Sequence, residues 1–313
     1  MTIAGVLRSL GVPESDPTAL SPSLKRFPDG AQYRVEIPST EGPGCLRAVL
    51  EEAERWEIPV HRISQGTGVF LQTDDELDEM AALAADAKRE VSLFARPGAG
   101  WSPSAMVAAP AGGVLAASAR GQDQLVACLE DALRAAEHGF RSVLITDLGV
   151  LRAFTELKRA GDLPADMQAK ISVMLPVANP TTAQVVVGLG ASTLNLPTDL
   201  TLHQIAAIRD AVDVPLDIYV EAPDNLGGFV RHHDIPRLIE IAAPVYVKFG
   251  LRNAPDVYPS GSHLEPTTIA LSRERVRRAK LGLDLLARSG VRATCSELGA
   301  PGLAVPQPAR RPA

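Results

Sequence analysis

The sequence has few cysteines, few aromatic residues and no long apolar run. Its three cysteines, Cys45, Cys128 and Cys295, lie far apart and form no Cys-x-x-Cys pair, so we expect neither a zinc ribbon nor an iron–sulfur cluster. Aromatic residues make up 4% of the chain, and no basic run is interleaved with them. Because nucleic acids bind to grouped cations, these features and the net charge of −6 argue against a nucleic-acid partner.

Membrane-directed segments are also missing from the sequence. No stretch of about 18 apolar residues occurs, which argues against a transmembrane helix. The N-terminus lacks the basic region followed by an apolar segment that marks a secretory signal. We therefore expect a cytoplasmic protein with no membrane partner. The sequence leaves open whether the chain forms a homo-oligomer.

What the sequence does contain is a unit that recurs along its 313 residues, 46% of which are hydrophobic. A short apolar run ends in a polar residue and a turn, and an amphipathic helical pattern follows. This alternation is typical of parallel strands joined by helices, and buried parallel strands read as continuous apolar runs. The predicted strands are Tyr33–Ile37, Val60–Ser64, Val91–Ala95, Ser142–Thr146, Ile171–Leu175, Ala191–Leu194, Leu216–Val220 and Val245–Val247.

Helical patterns separate these strands, and a last one follows the eighth. Thr73 stands three residues before Glu76, which is the spacing of a capping box at a helix start. The predicted helices centre on Cys45–Trp56, Asp74–Lys88, Gln122–His138, Val150–Arg159, Thr181–Leu189, Thr201–Val212, Asp234–Ala242 and Ser272–Ser289.

Eight strands and eight helices indicate a closed (β/α)8 barrel, the TIM-barrel fold. Residues 38–42, Pro-Ser-Thr-Glu-Gly, follow the first strand and lack the glycine fingerprint of an open dinucleotide-binding sheet. We predict an N-terminal extension at residues 1–31, the barrel at 32–292 and a disordered proline-rich tail at 293–313. Residues 97–121 form a Gly/Ala/Pro-rich insertion after the third strand.

Charged or amide residues follow almost every predicted strand. Active sites of this fold lie at the C-terminal ends of the strands, and a buried charge must pair with another residue or with a ligand. Glu221 and Lys248 end neighbouring strands and are the strongest catalytic candidates. A lysine beside a carboxylate can transfer protons, stabilise an oxyanion or form an imine. Asp147, across the predicted mouth, is the third catalytic candidate.

The other polar residues near the strand ends are candidates for substrate binding. Arginine suits carboxylates, so Arg62, Arg96 and Arg252 indicate a small anionic substrate. His61 and Arg62 are neighbours in one strand, where successive side chains face opposite sides, so we expect one of them to point away from the site. The substrate-binding candidates are Arg96, His61, Arg62, Asn195, Arg252 and His263.

A divalent metal is the one cofactor that these residues suggest, and the cofactor is otherwise unknown. Glu36, Asp147 and Glu221 could converge around Mg²⁺ or Mn²⁺, which prefer oxygen ligands. No His-x-His, His-Glu-x-x-His or Asp-x-Asp spacing supports such a site.

Three segments resemble a known family. They are residues 172–176 (Ser-Val-Met-Leu-Pro), 216–224 (Leu-Asp-Ile-Tyr-Val-Glu-Ala-Pro-Asp) and 245–253 (Val-Tyr-Val-Lys-Phe-Gly-Leu-Arg-Asn). Over roughly residues 33–290 the chain resembles actinobacterial barrel proteins grouped with the collagenase-like peptidases, peptidase family U32. The resemblance implies a TIM-like barrel and a peptidase label, although several relatives act in RNA or quinone hydroxylation with cysteine-bound iron–sulfur clusters.

The sequence departs from that family at its main motif. Residues 222–228 read Ala-Pro-Asp-Asn-Leu-Gly-Gly and hold no cysteine, where the family carries a glycine–cysteine-rich signature. The resemblance therefore implies the fold and the label, but it transfers neither the cluster nor any catalytic residue to this chain.

Three functions remain open from the sequence. The first is hydrolysis of an amide or peptide-like bond in a small anionic molecule, with Glu221 as the base and with Lys248 and Arg96 stabilising an oxyanion. The second is a lyase, aldolase or isomerase reaction, through an imine on Lys248 or a metal-held enolate. The third is a binding or partner subunit without catalysis.

Overall fold

The computed structural model describes residues 2–97 and 118–308 of the chain. Eight parallel strands close into a barrel, in which each strand pairs with its neighbours in the sequence and the last pairs with the first. This arrangement confirms the predicted (β/α)8 fold. The strands are β1 (Tyr33–Pro38), β2 (Val60–Ser64), β3 (Glu90–Phe94), β4 (Ser142–Ile145), β5 (Gln168–Ile171), β6 (Thr193–Asn195), β7 (Leu216–Glu221) and β8 (Val245–Phe249).

Nine α-helices lie within the described residues. They are α1 (Ile3–Ser9), α2 (Pro43–Arg55), α3 (Asp74–Asp86), α4 (Gly121–Glu137), α5 (Leu148–Ala160), α6 (Pro180–Gly188), α7 (Leu202–Ala211), α8 (Ile235–Ala242) and α9 (Glu265–Arg288). The capping box predicted at the start of α3 is present, because the side chains of Thr73 and Glu76 each accept a hydrogen bond from the backbone amide of the other. None of these helices combines the length and the apolar character that crossing a bilayer requires.

Two element boundaries differ from the predicted ones in ways that affect the site. Strand β5 begins at Gln168 instead of Ile171, so Lys170 belongs to the strand. A lysine in a buried strand breaks the apolar pattern, which moved the predicted strand three residues along the chain. Helix α9 begins at Glu265 instead of Ser272, with Pro266 in its first turn, where a missing amide hydrogen does no harm. Most of the insertion predicted at 97–121 lies outside the described residues.

The barrel interior is polar, whereas the interior of this fold is usually filled with branched apolar side chains. Val35 and Ile37 of β1 belong to the main apolar core, which lies between the strands and the surrounding helices. Because side chains alternate along a strand, Arg34 and Glu36 point into the barrel. The other inward-facing charged residues are Arg62, Glu90, Lys170, Asp217 and Lys248.

The N-terminal end of the barrel is closed by segments outside the repeat. The rings of Phe27 and Tyr246 meet edge to face with centroids 5.4 Å apart, and the Arg34 guanidinium lies 4.1 Å from the Phe27 centroid. Arg34 also donates hydrogen bonds to Ser296 Oγ at 2.9 Å and to the carbonyl of Pro301 at 2.8 Å. The structure thus differs from the prediction of disorder for residues 293–308, because they supply the acceptors that a buried arginine needs. Residues 309–313 lie outside the described part of the chain.

Deleting residues 293–313 should therefore destabilise the barrel. Arg34 would lose two acceptors while remaining buried, and hydrogen bonds to a charged group contribute about 1.5–3 kcal/mol each. We expect the free energy of unfolding, measured by urea denaturation, to fall by at least about 2 kcal/mol. A chain that ends at Pro308 is the control and should unfold as the full chain does. Equal stability of all three chains would contradict a structural role for the tail.

Candidate active site at the barrel mouth

Lys248 is the penultimate residue of β8, at the C-terminal end of the strand, and its side chain is 2% exposed. Its Nζ lies 2.9 Å from Glu36 Oε1 and 4.5 Å from the ring centroid of Tyr219. The side-chain oxygen of Asn195 lies 3.1 Å from Nζ in the amide orientation that satisfies both ends of this side chain. Burial raises the pKa of Tyr219, so its phenol stays protonated. Lys248 is thus held by side chains of the two neighbouring strands, β1 and β7, and of β6 beyond β7.

Beneath Lys248 lies a buried group of charges, which we call the interior ion cluster. Arg62 Nε lies 2.7 Å from Glu90 Oε1, and Arg62 Nη1 lies 3.0 Å from Asp217 Oδ1 and 3.5 Å from Glu36 Oε2. Lys170 Nζ lies 2.8 Å from Glu36 Oε2 and also donates to Asp217 Oδ2. With Lys248, the cluster consists of Arg62, Lys170, Lys248, Glu36, Glu90 and Asp217.

The interior ion cluster is balanced in charge, with three cations and three carboxylates. Burial alone would raise the pKa of Glu36, but Lys170, Lys248 and Arg62 together hold it well below its usual range. Burial lowers the pKa of Lys170, and its two carboxylate partners oppose that change. Because each charge has a partner of opposite sign, the cluster can stay ionised away from water.

Glu221 is not paired with Lys248, although their strands are adjacent. A register shift after Tyr219 sets Glu221 opposite Phe249. Glu221 Oε1 accepts a hydrogen bond from the Arg252 amide at 3.0 Å, and Oε2 lies 3.2 Å from His232 Nε2, out of line for a hydrogen bond. The prediction that Glu221 and Lys248 form a pair is therefore wrong as geometry, because the bulge turns the carboxylate toward the rim loops.

Arg278 of α9 also approaches this carboxylate, with Nη1 at 3.8 Å from Glu221 Oε2. Burial raises the pKa of Glu221, but the contacts with His232, the Arg252 amide and Arg278 outweigh it and lower the pKa overall. The structure therefore gives Glu221 the surroundings of a carboxylate that holds loops together.

Asp147 caps the N-terminus of α5. Its Oδ1 accepts hydrogen bonds from the amides of Gly149 at 2.7 Å and Val150 at 3.1 Å, and its Oδ2 accepts one from the amide of Ala119 at 3.1 Å. An aspartate that binds free amides at a helix start serves the helix. Asp147 and Lys248 are therefore not brought together by any contact that the structure records.

The two neighbouring residues of β2 separate as the alternation predicts. Arg62 enters the interior ion cluster, where its guanidinium also lies 3.5 Å from the Tyr246 ring centroid. His61 sits at a register shift between β1 and β2; its Nδ1 accepts from the Val35 amide at 3.0 Å and its Nε2 lies 2.8 Å from the Ser296 carbonyl. Burial lowers the pKa of His61 to about 4, so this ring is neutral and structural.

The remaining substrate-binding candidates lie at or beyond the rim. Arg96 donates to the Gly66 carbonyl at 2.7 Å and lies 5.6 Å from the Tyr258 ring centroid, and burial lowers its pKa. Arg252 is exposed and lies 3.5 Å from an oxygen of Asp224. His263 is exposed in the short 3₁₀ turn Ser262–Leu264. Of the six candidates, Asn195 alone contacts Lys248.

The three carboxylates proposed for a metal do not converge. Glu36 belongs to the interior ion cluster, Asp147 caps α5, and Glu221 faces the rim loops. Within residues 2–97 and 118–308, no group of three or more His, Cys, Asp or Glu side chains is placed to hold a metal ion. The predicted ligand set is therefore wrong as geometry, because each carboxylate is already engaged elsewhere.

Several residues of this site escaped the sequence prediction, which drew most of its candidates from the ends of the apolar runs. Asp217 and Tyr219 lie inside β7, and Lys170 and Glu90 lie inside or at the start of their strands. Polar residues at every second position of β7 were the available signal, because alternation places them on one face.

One segment of the chain matches a known protein family. A family model, peptidase family U32, matches residues 114–222. The match spans β4 to β7 and does not reach β1 or β8, which carry Glu36 and Lys248. No curated protein matches the sequence.

Solved structures are similar at low identity. The U32 peptidase Mk0906 is 18% identical, with 64% of this chain and 73% of that chain covered and a TM-score of 0.39. A truncated 3-deoxy-D-arabino-heptulosonate 7-phosphate synthase from Thermotoga maritima is 14% identical, with coverage of 88% and 95% and a TM-score of 0.42. A 2,3-dimethylmalate lyase is 12% identical, with coverage of 84% and 86% and a TM-score of 0.44. At these levels the similarity says nothing about reaction or substrate, whereas the resemblance to peptidase family U32 is confirmed for residues 114–222.

Proposed function

We propose that this chain is an enzyme that cleaves an amide or peptide-like bond in a small anionic molecule, and that the substrate carbonyl meets Lys248 at the barrel mouth. The observation that carries the proposal is the hydrogen bonding of the Lys248 ammonium. It has three N–H donors. Within the described residues Asn195 accepts one of them, and the Glu36 carboxylate forms an ion pair with the ammonium at 2.9 Å that is out of line for a hydrogen bond. Donors of the ammonium therefore remain for a ligand. The family match over β4 to β7 favours amide hydrolysis.

In this reaction water adds to the carbonyl carbon, the C–N bond breaks and the leaving amine takes a proton. Lys248 would donate to the carbonyl oxygen as negative charge develops there. A fixed ammonium in a site largely closed to water stabilises such an oxyanion strongly, since it needs no reorganisation during the reaction. Arg96, which follows β3, would bind an anionic group of the substrate.

Replacing Lys248 by methionine should abolish most turnover. Loss of one donor to an oxyanion slows an enzyme by about 10²-fold or more. The measurement is the release of amines, detected with a fluorogenic reagent, from a panel of N-acyl amino acids and short acidic peptides. Lys280 of α9, which pairs with Asp284 on the outer face, supplies the matched control Lys280→Met. A Lys248→Met protein as active as this control would exclude the proposed role.

A second candidate is imine chemistry, and one distance bears on it. Glu36 Oε1 lies 2.9 Å from Lys248 Nζ and holds the amine in place, while the proton that the amine must lose before it attacks a carbonyl goes to solvent. The amine would then add to a ketone and release water. Borohydride in the presence of pyruvate, followed by peptide mapping, separates the two candidates. A reduced adduct on Lys248 supports the imine, and an unmodified Lys248 leaves hydrolysis.

A further inference from the structure

Glu36 divides its two carboxylate oxygens between the mouth and the interior. Its Oε1 lies 2.9 Å from Lys248 Nζ in an ion pair and accepts a hydrogen bond from Ser64 Oγ at 2.6 Å. Its Oε2 accepts from Lys170 at 2.8 Å and lies 3.5 Å from Arg62 Nη1. The side chain is completely buried, so water does not screen any of these contacts.

We propose that Glu36 is a positioning residue, which shares one negative charge between Lys248 and the buried Lys170, and that the interior ion cluster thereby sets the reactivity of the Lys248 amine. This inference rests on the proposed function only in assigning Lys248 to the site. Lys248 reactivity can be measured without a substrate, so the two ideas can fail separately.

The physical reason is the charge balance of the cluster. Three cations face three carboxylates, and Lys170 competes with Lys248 for Glu36. Removing the Lys170 charge leaves one carboxylate in excess, which stabilises the ammonium form of Lys248 and withdraws the reactive amine. Removing the Glu36 charge leaves one cation in excess, which favours the neutral amine. The two changes must therefore act in opposite directions.

The groups around Lys248 come from several strands of the barrel. The polar groups in direct contact with the amine come from β1, β6 and β7: Glu36, Asn195 and Tyr219. The other charged groups reach it through Glu36 or the rest of the cluster: Arg62, Glu90, Lys170 and Asp217. Lys248 shares Glu36 with Lys170, which is fully buried. Water therefore does not screen the electrostatic interaction between the two lysines.

The experiment measures how fast Lys248 is acetylated by trace acetic anhydride across pH 7–10, with isotope-ratio mass spectrometry of its peptide. In Lys170→Met the rate at pH 8 should fall by about tenfold, and in Glu36→Gln it should rise by about the same factor. The double variant Glu36→Gln/Lys170→Met restores the charge balance and should label within about threefold of the wild type. Circular dichroism checks that each variant is folded.

Each outcome decides one point. Single variants that change the rate in the same direction, or leave it unchanged, overturn the role of Glu36. Wild-type Lys248 that is not acetylated at any pH is out of reach of the mouth, which overturns the proposed function and this inference with it. If a single variant does not fold, Asn195→Asp decides: it adds a carboxylate 3.1 Å from Nζ and should slow labelling, and an unchanged rate contradicts the proposal.

Discussion

Replacing Arg62 by methionine should lower the free energy of unfolding by about 3–5 kcal/mol, because it leaves buried carboxylates without their cation. Arg62 contacts Glu90, Asp217 and Glu36, and all four side chains are at most 1% exposed. Methionine has a similar length but supplies no donor to these acceptors. The measurement is denaturation in guanidinium chloride at neutral pH.

The matched control for this change is a surface arginine. Arg152 pairs with Glu156 one turn along α5 and is 59% exposed, so Arg152→Met should change the stability by no more than about 0.5 kcal/mol. A small loss for Arg62→Met, comparable to that of Arg152→Met, would show that the interior ion cluster tolerates an unpaired carboxylate. It would also weaken the argument that the cluster controls Lys248.

Replacing Asp131 by asparagine should stabilise the protein by about 4 kcal/mol at pH 8. Asp131 lies on α4 and is 8% exposed. Burial raises its pKa to about 7, although an amide hydrogen bond from Phe70 and the charge of Arg134 act in the opposite direction. At pH 8 the folded protein must therefore hold a carboxylate that water would solvate better, and asparagine removes that charge while keeping an acceptor for Phe70.

The pH dependence gives this prediction its sign. A carboxyl whose pKa is raised on folding favours the folded state fully below its unfolded value near 3.8, and this contribution is lost as the pH rises to about 7. The advantage of Asp131→Asn should therefore be close to zero near pH 4 and reach its full size above pH 7. Asp123→Asn, an exposed position on the same helix, is the control and should stay within about 0.5 kcal/mol. An equal gain at both pH values would contradict burial as the cause.

The arrangement of charges gives the barrel a site that differs from the one its strand ends suggest. Glu221 accepts a hydrogen bond from a rim loop and Asp147 caps a helix. Lys248, by contrast, is paired with Glu36 of the interior ion cluster. A lysine supported in this way has a fixed position and a charge that depends on its neighbours. Both properties suit a group that must meet a carbonyl repeatedly in one geometry.

The sequence determined the fold of this protein, because its apolar runs, its amphipathic helices and its local capping signals all indicate alternating strands and helices. Apolar runs alternate with amphipathic helices, and local signals such as the Thr73–Glu76 capping box depend on residues close together in the chain. The alternation within β2 also predicted that the side chains of His61 and Arg62 point to opposite sides of the strand, and Arg62 points into the barrel. The sequence further located Lys248 at the end of β8.

Tertiary structure alone decided which of these residues meet. The bulge after Tyr219 turns Glu221 away from Lys248, and a bulge depends on strand pairing that no local pattern records. Glu36, Lys170 and Asp217 stand up to 181 positions apart, since 217 − 36 = 181, and they touch only because the barrel closes. Residues 293–308 likewise pack on the barrel, where Ser296 and Pro301 accept hydrogen bonds from the buried Arg34. Charge pairing across a closed barrel depends on residues that are distant in the sequence, so the position of Lys248 at the end of β8 could be predicted from the sequence while the side chains around it could not.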